Sequence, residues 1–197
     1  MYEQRIMSTV KTVEPTLVSI TATALSGNQT SASGVIVTAD GGIITSAHIV
    51  STGARYGVQL ANGENVEITL IPADNERDLA FFQIQSPDKH DYLYSALVDS
   101  HAFIQTGQQV LVFGAANGRE TVIQGMISSL DETITAVSGR KLSGLIRLDA
   151  AVESGMSGGP TVLVNGTVVA INTAYAGANI GHGWATPVTR QDLGVFN

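Results

Sequence analysis

The sequence consists largely of short runs of β-branched and other apolar residues that alternate with turn signals. Twelve such runs are predicted strands, at residues 16–23, 34–38, 43–45, 66–71, 79–84, 109–113, 120–128, 133–137, 145–149, 160–164, 167–173 and 183–187. The chain also contains pairs typical of tight turns: Asp40-Gly41, Asn62-Gly63, Asn117-Gly118, Ser138-Gly139 and Asn165-Gly166. Strands this short and this regularly spaced predict antiparallel hairpins that build a barrel or a sandwich.

Helix is predicted to be the minority. Residues 2–13 have a helical pattern, residues 47–50 form a helical turn, and a short helical stub is expected near Arg190. The polar stretch 86–94 separates two runs of strands of similar length and is predicted to be a surface loop near the connection between two halves. No repeat occurs at a fixed period, which disfavours solenoids and propellers. The predicted fold class is therefore all-β.

Composition excludes several classes of function. Hydrophobic residues make up 44% of the chain and charged residues 14%, which predicts a packed core rather than a disordered chain. The formal net charge is −7, so a surface for nucleic acid or anionic lipid is not expected. The chain has no cysteine, which removes disulfides, thiolate catalysis and cysteine-based metal sites and leaves the redox compartment open.

Targeting and membrane segments are not evident in the sequence. No window approaches the roughly 20 apolar residues that cross a bilayer, and the start of the chain lacks the pattern of a signal peptide. The sequence leaves open whether a targeting or membrane segment precedes this chain in a longer protein. We expect no metal and no cofactor.

Three segments carry residues that suggest chemistry. They are residues 43–50, where a strand-like run ends at His48; residues 75–82, with Asp78 at the start of another strand; and residues 155–160, where Ser157 stands among three glycines. A serine hydroxyl becomes a useful nucleophile when an imidazole removes its proton, and a carboxylate orients and stabilises that imidazole. Glycines let successive backbone N–H groups point at one spot, where a tetrahedral intermediate places its oxyanion.

Each of these residues also has an ordinary interpretation. Taken alone, His48 is a core or surface histidine, Asp78 is a loop or turn carboxylate, and the glycine-rich segment around Ser157 is a turn. The combination of nucleophile, base and orienting carboxylate is what predicts catalysis.

The three segments, in the order His, Asp, Ser, resemble trypsin-like serine proteases of the chymotrypsin fold, and most closely the HtrA/Deg branch. The resemblance extends over residues 12–190. It is carried by residues 33–37 and 41–45 before the histidine, 77–80 around the aspartate, 147–151 and 155–160 around the serine, and 168–174 and 181–187 in the last two strands.

This resemblance implies one peptidase domain over residues 1–197, built from two perpendicular six-stranded antiparallel β-barrels. The first barrel would cover about residues 12–97 and the second about 98–190, with the active site in the cleft between them. His48 and Asp78 would come from the first barrel and Ser157 from the second. The backbone N–H groups of Gly155 and Ser157 would form the oxyanion hole. Thr173 would either donate its hydroxyl to Asp78 or be a plain strand residue.

The resemblance also implies a substrate pocket. Its candidate residues are Ala151, Val152, Asn172, Thr173, Ala174 and His182. Ala151, six residues before Ser157, would lie at the base, and a neutral base disfavours Lys or Arg. We therefore expect a preference for small or medium aliphatic side chains. His182 would lie at the rim, either to recognise an acidic side chain or as a solvent-exposed loop histidine.

Other features of the chain qualify the resemblance. His90 and His101 are interpreted as surface residues, because neither has a second ligand at a metal spacing. Met156 stands where most relatives carry Asn or Asp. The family's frequent PDZ domain is not expected in this chain, and the sequence leaves the oligomeric state open.

The predicted function is a serine endopeptidase that acts on protein or peptide substrates, with an extracytoplasmic role favoured by analogy. A protease-like peptide-binding or chaperone module with little turnover is the alternative. An esterase is a third possibility, although the α/β-hydrolase fold does not fit the order of the three residues.

Overall fold

The computed structural model describes residues 2–53, 55–85, 91–136, 138–175 and 181–196. Within these ranges the chain begins with helix α1 (Tyr2–Val13) and has a second short helix, α2 (Ala47–Thr52). The strands are β1 (Leu17–Thr23), β2 (Gln29–Ile36), β3 (Gly42–Ser46), β4 (Arg55–Leu60), β5 (Asn65–Asp74), β6 (Leu79–Gln85), β7 (Gln109–Gly114), β8 (Thr121–Thr135), β9 (Lys141–Leu148), β10 (Pro160–Leu163), β11 (Val168–Tyr175) and β12 (Gly183–Pro187). Short 3-10 helices lie at Glu14–Thr16, His101–Phe103, Ala116–Gly118 and Arg190–Phe196.

The strands close into two antiparallel barrels of six strands each. The first has the strand order β1-β2-β3-β6-β5-β4, and the second has the order β10-β11-β12-β9-β8-β7. Pairing of β1 with β4 closes the first barrel, and pairing of β10 with β7 closes the second. Closure leaves neither sheet with an exposed edge, which explains how strands that are mostly four to eight residues long can be stable here.

Each barrel is filled by its own inward-facing side chains. Ile20, Ile43 and Phe82 lie in the core of the first barrel, and Val112 and Leu148 lie in that of the second. All five are almost completely buried. Alternation along each strand puts these residues on one face of a closed sheet, and removing them from water is the main force that holds each barrel together.

A third cluster joins the two barrels. Leu17 and Val35 of the first barrel pack with Phe113 and Ile171 of the second, and Val13 of α1 packs against the same cluster. These side chains are at most 1% exposed. Burial of apolar surface therefore fixes one barrel against the other, and this contact decides which residues meet at the cleft between them.

The predicted all-β double-barrel class is confirmed, while the strands differ from the sequence prediction in two main respects. Strand β4 was not predicted, because Gly57 interrupts Arg55–Leu60 and leaves only a short apolar pattern, Tyr56, Val58 and Leu60. The predicted strands 120–128 and 133–137 form one strand, β8, whose pairing with β9 shifts register three times. Of the predicted loop 86–94, residues 86–90 lie outside the described residues, and residues 91–94 have no regular structure.

Helix α1 has the bounds that its sequence pattern predicts, and the predicted stub near Arg190 is a 3-10 helix. In the part of the chain that the structure describes, no helix combines the length and the apolarity needed to span a membrane.

Candidate active site

The first barrel brings His48 and Asp78 into direct contact. Strands β3 and β6 pair with Ser46 opposite Leu79, so the residues just beyond these positions lie side by side. His48 is the second residue of α2, and Asp78 immediately precedes β6. The His48 Nδ1 atom lies 2.8 Å from Asp78 Oδ2, and the His48 backbone N–H donates to Asp78 Oδ1 at 2.9 Å. Asp78 therefore holds His48 through both the imidazole ring and the backbone N–H.

Asp78 is a buried carboxylate with four hydrogen-bond donors around it. Its side chain is 1% exposed, and its backbone has a φ of 59°, a left-handed conformation that is uncommon outside glycine. Besides His48, the Thr173 hydroxyl donates to Oδ2, and Arg140 Nη2 donates to Oδ1 at 3.0 Å. The Thr173 contact is the one that the family resemblance implied. The Arg140 contact was not anticipated from the sequence.

The environment of Asp78 favours its ionised form. Burial by itself would raise the pKa of this carboxyl, because it removes the charge from water. The hydrogen bond and charge of His48, the Thr173 hydroxyl and the His48 backbone N–H together outweigh burial, so the pKa of Asp78 is lowered. A carboxylate that stays ionised can orient an imidazole and stabilise its protonated form.

Ser157 lies in a tight loop that the second barrel presses against the first. Gly155 and Gly158 have φ values of 92° and 85°, which side-chain-bearing residues rarely adopt. A Cβ atom at Gly158 would overlap the Ser33 carbonyl oxygen and the Thr45 hydroxyl, so only glycine fits there. The Ser33 backbone N–H donates to the Ser157 carbonyl at 2.9 Å. Ser157 is therefore placed by contacts with β2 and β3, the strand that leads to His48.

Between Gly155 and Gly159, two backbone N–H groups have no acceptor within the described residues. Met156, Gly158 and Gly159 donate their N–H groups to Glu153, Asn172 and Met156 carbonyls, at 3.0, 2.7 and 3.0 Å respectively. The N–H groups of Gly155 and Ser157 donate to no protein group in the described ranges. They are the two donors that the oxyanion-hole hypothesis requires.

Ser33 is a part of this site that the sequence reasoning missed as a functional residue. Its hydroxyl donates to the Gly155 carbonyl at 2.7 Å and accepts from the Ala115 N–H at 2.7 Å. The side chain is fully buried and bridges β2, the end of β7 and the nucleophile loop. Its place just before Gly34, in one of the segments that carry the resemblance, was the only sequence signal for it.

The structure places Asn172 differently from the expected pocket wall. Its side chain is fully buried beneath the nucleophile loop. Its Nδ2 atom donates to the Phe113 and Met156 carbonyls at 2.9 and 3.2 Å, and its Oδ1 atom accepts from Thr161 at 2.7 Å. We interpret this amide as a support for the loop, because all its polar atoms are occupied inside the protein.

The remaining expected pocket residues vary in exposure. Ala151 is half-buried, whereas Val152 is only 3% exposed and packs tightly against Gly183. His182 is half-buried, and its ring contacts Trp184 edge-on at 5.0 Å. For Ala174 the structure describes the backbone, within β11, but not the side chain.

The other two histidines lie elsewhere. His101 is exposed in a 3-10 helix, and His90 falls outside the described residues. Among the residues that the structure describes, no cluster of three His, Asp or Glu side chains could hold a metal ion.

The Ser157 hydroxyl forms no hydrogen bond within the described residues, so the structure does not join it to His48 directly. Such bonds are often long in proteins without substrate and shorten when the substrate is bound. The structure thus shows a formed His48–Asp78 pair and a serine loop that contacts β2 and β3 of the same barrel.

Comparison with known proteins identifies the family. The family model described as "Trypsin-like peptidase domain" matches residues 32–171, more than two thirds of the chain. The chain belongs to the trypsin-like peptidase family. The match covers His48, Asp78 and Ser157.

Within this family the chain is similar to periplasmic proteases. It is 35% identical over 144 residues to the periplasmic serine endoprotease DegP of Escherichia coli (strain K12), covering 71% of this chain and 29% of that protein. It is 33% identical over 147 residues to the periplasmic pH-dependent serine endoprotease DegQ of the same organism, covering 71% of this chain and 30% of that protein. The chain therefore spans under a third of the length of these curated relatives.

Solved structures show the same fold. The HtrA-type protease AlgW with a tripeptide superposes with a TM-score of 0.80 and 27% identity, covering 93% of this chain and 60% of that chain. A second AlgW structure with a tripeptide gives a TM-score of 0.83 at 27% identity, covering 97% of this chain and 62% of that one. These comparisons support a trypsin-like peptidase domain of the HtrA type.

Proposed function

We propose that this chain is the protease domain of a serine endopeptidase in which His48, Asp78 and Ser157 form the catalytic triad. The observation that carries the proposal is the His48–Asp78 pair, with a carboxylate of lowered pKa on the imidazole. A buried, hydrogen-bonded carboxylate of this kind is what a histidine needs to act as a general base and then to be stabilised as an imidazolium.

In the proposed reaction, His48 takes the Ser157 proton as the serine oxygen attacks the peptide carbonyl. The negative oxygen of the tetrahedral intermediate accepts hydrogen bonds from the Gly155 and Ser157 N–H groups, which have no protein acceptor in the described chain. His48 then gives the proton to the leaving amine, and an acyl-enzyme on Ser157 remains. Water, activated by His48, attacks the acyl carbon and restores the free serine.

The substrate preference in this proposal is for small or medium aliphatic side chains before the cleaved bond. Ala151 is neutral and half-buried, and Val152 is an apolar neighbour packed against β12. Neither supplies a carboxylate for a Lys or Arg side chain. The position of Asn172 beneath the loop takes its side chain out of this pocket, so we assign specificity to the half-buried Ala151 first, with Val152, Thr173, Ala174 and His182 around it.

Partners and location follow from the relatives. DegP and DegQ are periplasmic endoproteases, and AlgW is described with a tripeptide. We therefore propose protein or peptide segments as substrates and an extracytoplasmic site of action.

One observation favours a second candidate, a peptide-binding module with little turnover. The Ser157 hydroxyl has no hydrogen bond to His48, and a misplacement of about 1 Å in such a site costs on the order of 100-fold in rate. Labelling of the serine separates the two candidates, because covalent reaction requires an activated nucleophile whereas peptide binding does not.

The deciding experiment is fluorophosphonate labelling of the protein, followed by measurement of the intact mass. We expect one adduct on the unmodified chain, one on the control Ser143→Ala, which removes an exposed hydroxyl on β9, and none on Ser157→Ala. An adduct on Ser157→Ala would show that the nucleophile is a residue other than Ser157. A chain that binds extended peptides and takes no label would support the binding module instead.

A further inference from the structure

A second charged side chain contacts the Asp78 carboxylate. Arg140 Nη2 donates to Asp78 Oδ1 at 3.0 Å, the same oxygen that accepts the His48 backbone N–H. The Arg140 side chain is 37% exposed, whereas that of Asp78 is 1% exposed. Arg140 therefore reaches the carboxylate from the edge of the cleft, and it comes from the second barrel, whereas Asp78 belongs to the first.

The backbone around Arg140 is held by a tight hairpin between β8 and β9. The Ala136 N–H donates to the Arg140 carbonyl at 2.8 Å, and the Gly139 N–H donates to the Ala136 carbonyl at 2.8 Å. Gly139 has a φ of 83°, which this turn requires. Below the turn, Leu142 and Trp184 are buried together in a small apolar cluster. The hairpin thus presents Arg140 from a fixed point.

The charges around Asp78 explain why a cation is useful there. A buried carboxylate is costly unless a positive charge or several donors compensate it. His48 is neutral when it acts as the base, and Thr173 supplies only a hydroxyl. The neighbouring Arg77 directs its guanidinium to Asp192, at 2.6 Å. Arg140 is consequently the one permanent cation in contact with the carboxylate among the described residues.

The guanidinium has little else to hold it. Arg140 Nε is buried and has no hydrogen-bond partner, and the ion pair with Asp78 is the side-chain contact that positions the group.

We propose that Arg140 is a positioning residue for the proposed triad. It fixes Oδ1 of Asp78, the carboxylate that in turn orients the His48 imidazole through Oδ2. This inference rests on the proposed function. Among the residues that the structure describes, the charged groups in contact at the pair are Asp78 itself, His48 from α2 and Arg140 from the β8–β9 hairpin.

The test compares Arg140→Gln and Arg140→Lys with the control Lys141→Gln. Lys141 is the next residue along the chain, is exposed, and makes no ion pair with Asp78, so the control removes the same charge from the same hairpin. The measurements are kcat and KM for a peptide substrate from pH 5 to 9, with thermal unfolding to confirm that each variant is folded.

For Arg140→Gln we expect kcat to fall about 10-fold, because the Asp78 carboxylate loses one of the donors that position it, with KM changed less than about twofold. The acidic limb of kcat/KM should move to higher pH, because the positive charge on the carboxylate that pairs with the imidazole has been removed. Arg140→Lys should leave the acidic limb of kcat/KM at the same pH as in the unmodified protein. Lys141→Gln should match the unmodified protein in kcat, KM and pH profile.

A second measurement needs no turnover. In the Ser157→Ala background, the titration of His48 followed by NMR should shift to higher pH in Arg140→Gln and stay unchanged in Lys141→Gln. An unchanged His48 titration in both variants, or a fall in kcat without movement of the acidic limb, would overturn the inference. If the His48 titration shifts in Arg140→Gln but the unmodified protein takes no fluorophosphonate label, the role of Arg140 is supported and the proposed endopeptidase activity is rejected.

Discussion

Replacement of Asn172 by alanine tests whether a buried amide holds the nucleophile loop. Three hydrogen bonds are lost: those to the Phe113 and Met156 carbonyls and the one from Thr161. A net value of about 1 kcal/mol for each bond, plus about 1 kcal/mol for the cavity, predicts a loss of about 4 kcal/mol of unfolding free energy. For a chain of this length, about 2–4 °C per kcal/mol predicts a melting temperature lower by roughly 8–16 °C.

The assay is thermal unfolding of Asn172→Ala by circular dichroism, with the rate of fluorophosphonate labelling measured well below the melting temperature. Labelling should slow because the Met156 carbonyl, within the loop that presents Ser157, loses a donor. The control is Asn165→Ala, which removes an exposed turn asparagine that accepts only from the Thr167 N–H. A destabilisation of Asn172→Ala below about 1 kcal/mol, no larger than that of the control, would refute the reasoning.

Two further predictions concern the neighbours of the site. Ser33→Ala should slow fluorophosphonate labelling by about 10-fold or more, because among the described residues only Ser33 donates to the Gly155 carbonyl beside the proposed oxyanion hole. Ser31→Ala, which alters a half-buried residue of the same strand, should have little effect, and equal labelling rates for the two variants would contradict the prediction. Thr173→Val should destabilise the protein by about 1–2 kcal/mol near neutral pH, since it removes a hydrogen bond to a buried carboxylate. Because the folded-state pKa of Asp78 is lowered, this stabilisation is fully present above the unfolded-state value of about 3.9 and is lost as the pH falls through the folded-state pKa. The melting-temperature difference between Thr173→Val and the unmodified protein should therefore narrow below about pH 4, and a constant difference from pH 3 to 7 would count against it.

Much of the fold could be predicted from local sequence. The bounds of α1 and the positions of most strands followed from apolar periodicity and turn pairs, which act over a few residues. Strand β4 could not be predicted in this way, because its place is set by pairing with β1 across the barrel closure rather than by its own apolar pattern. The length of β8 likewise depends on irregular pairing with β9.

The sequence by itself determined the fold class, the family resemblance and the three segments that contain His48, Asp78 and Ser157, since each segment is a contiguous motif with its own turn chemistry. Only the tertiary structure decided that Arg140 and Ser33 belong to the site and that Asn172 lies beneath it. Their contacts join residues 62, 122 and 59 positions apart, to Asp78, Gly155 and Phe113 respectively. The physical reason is that packing of one closed barrel against the other sets these distances, and no local pattern in the chain encodes that packing.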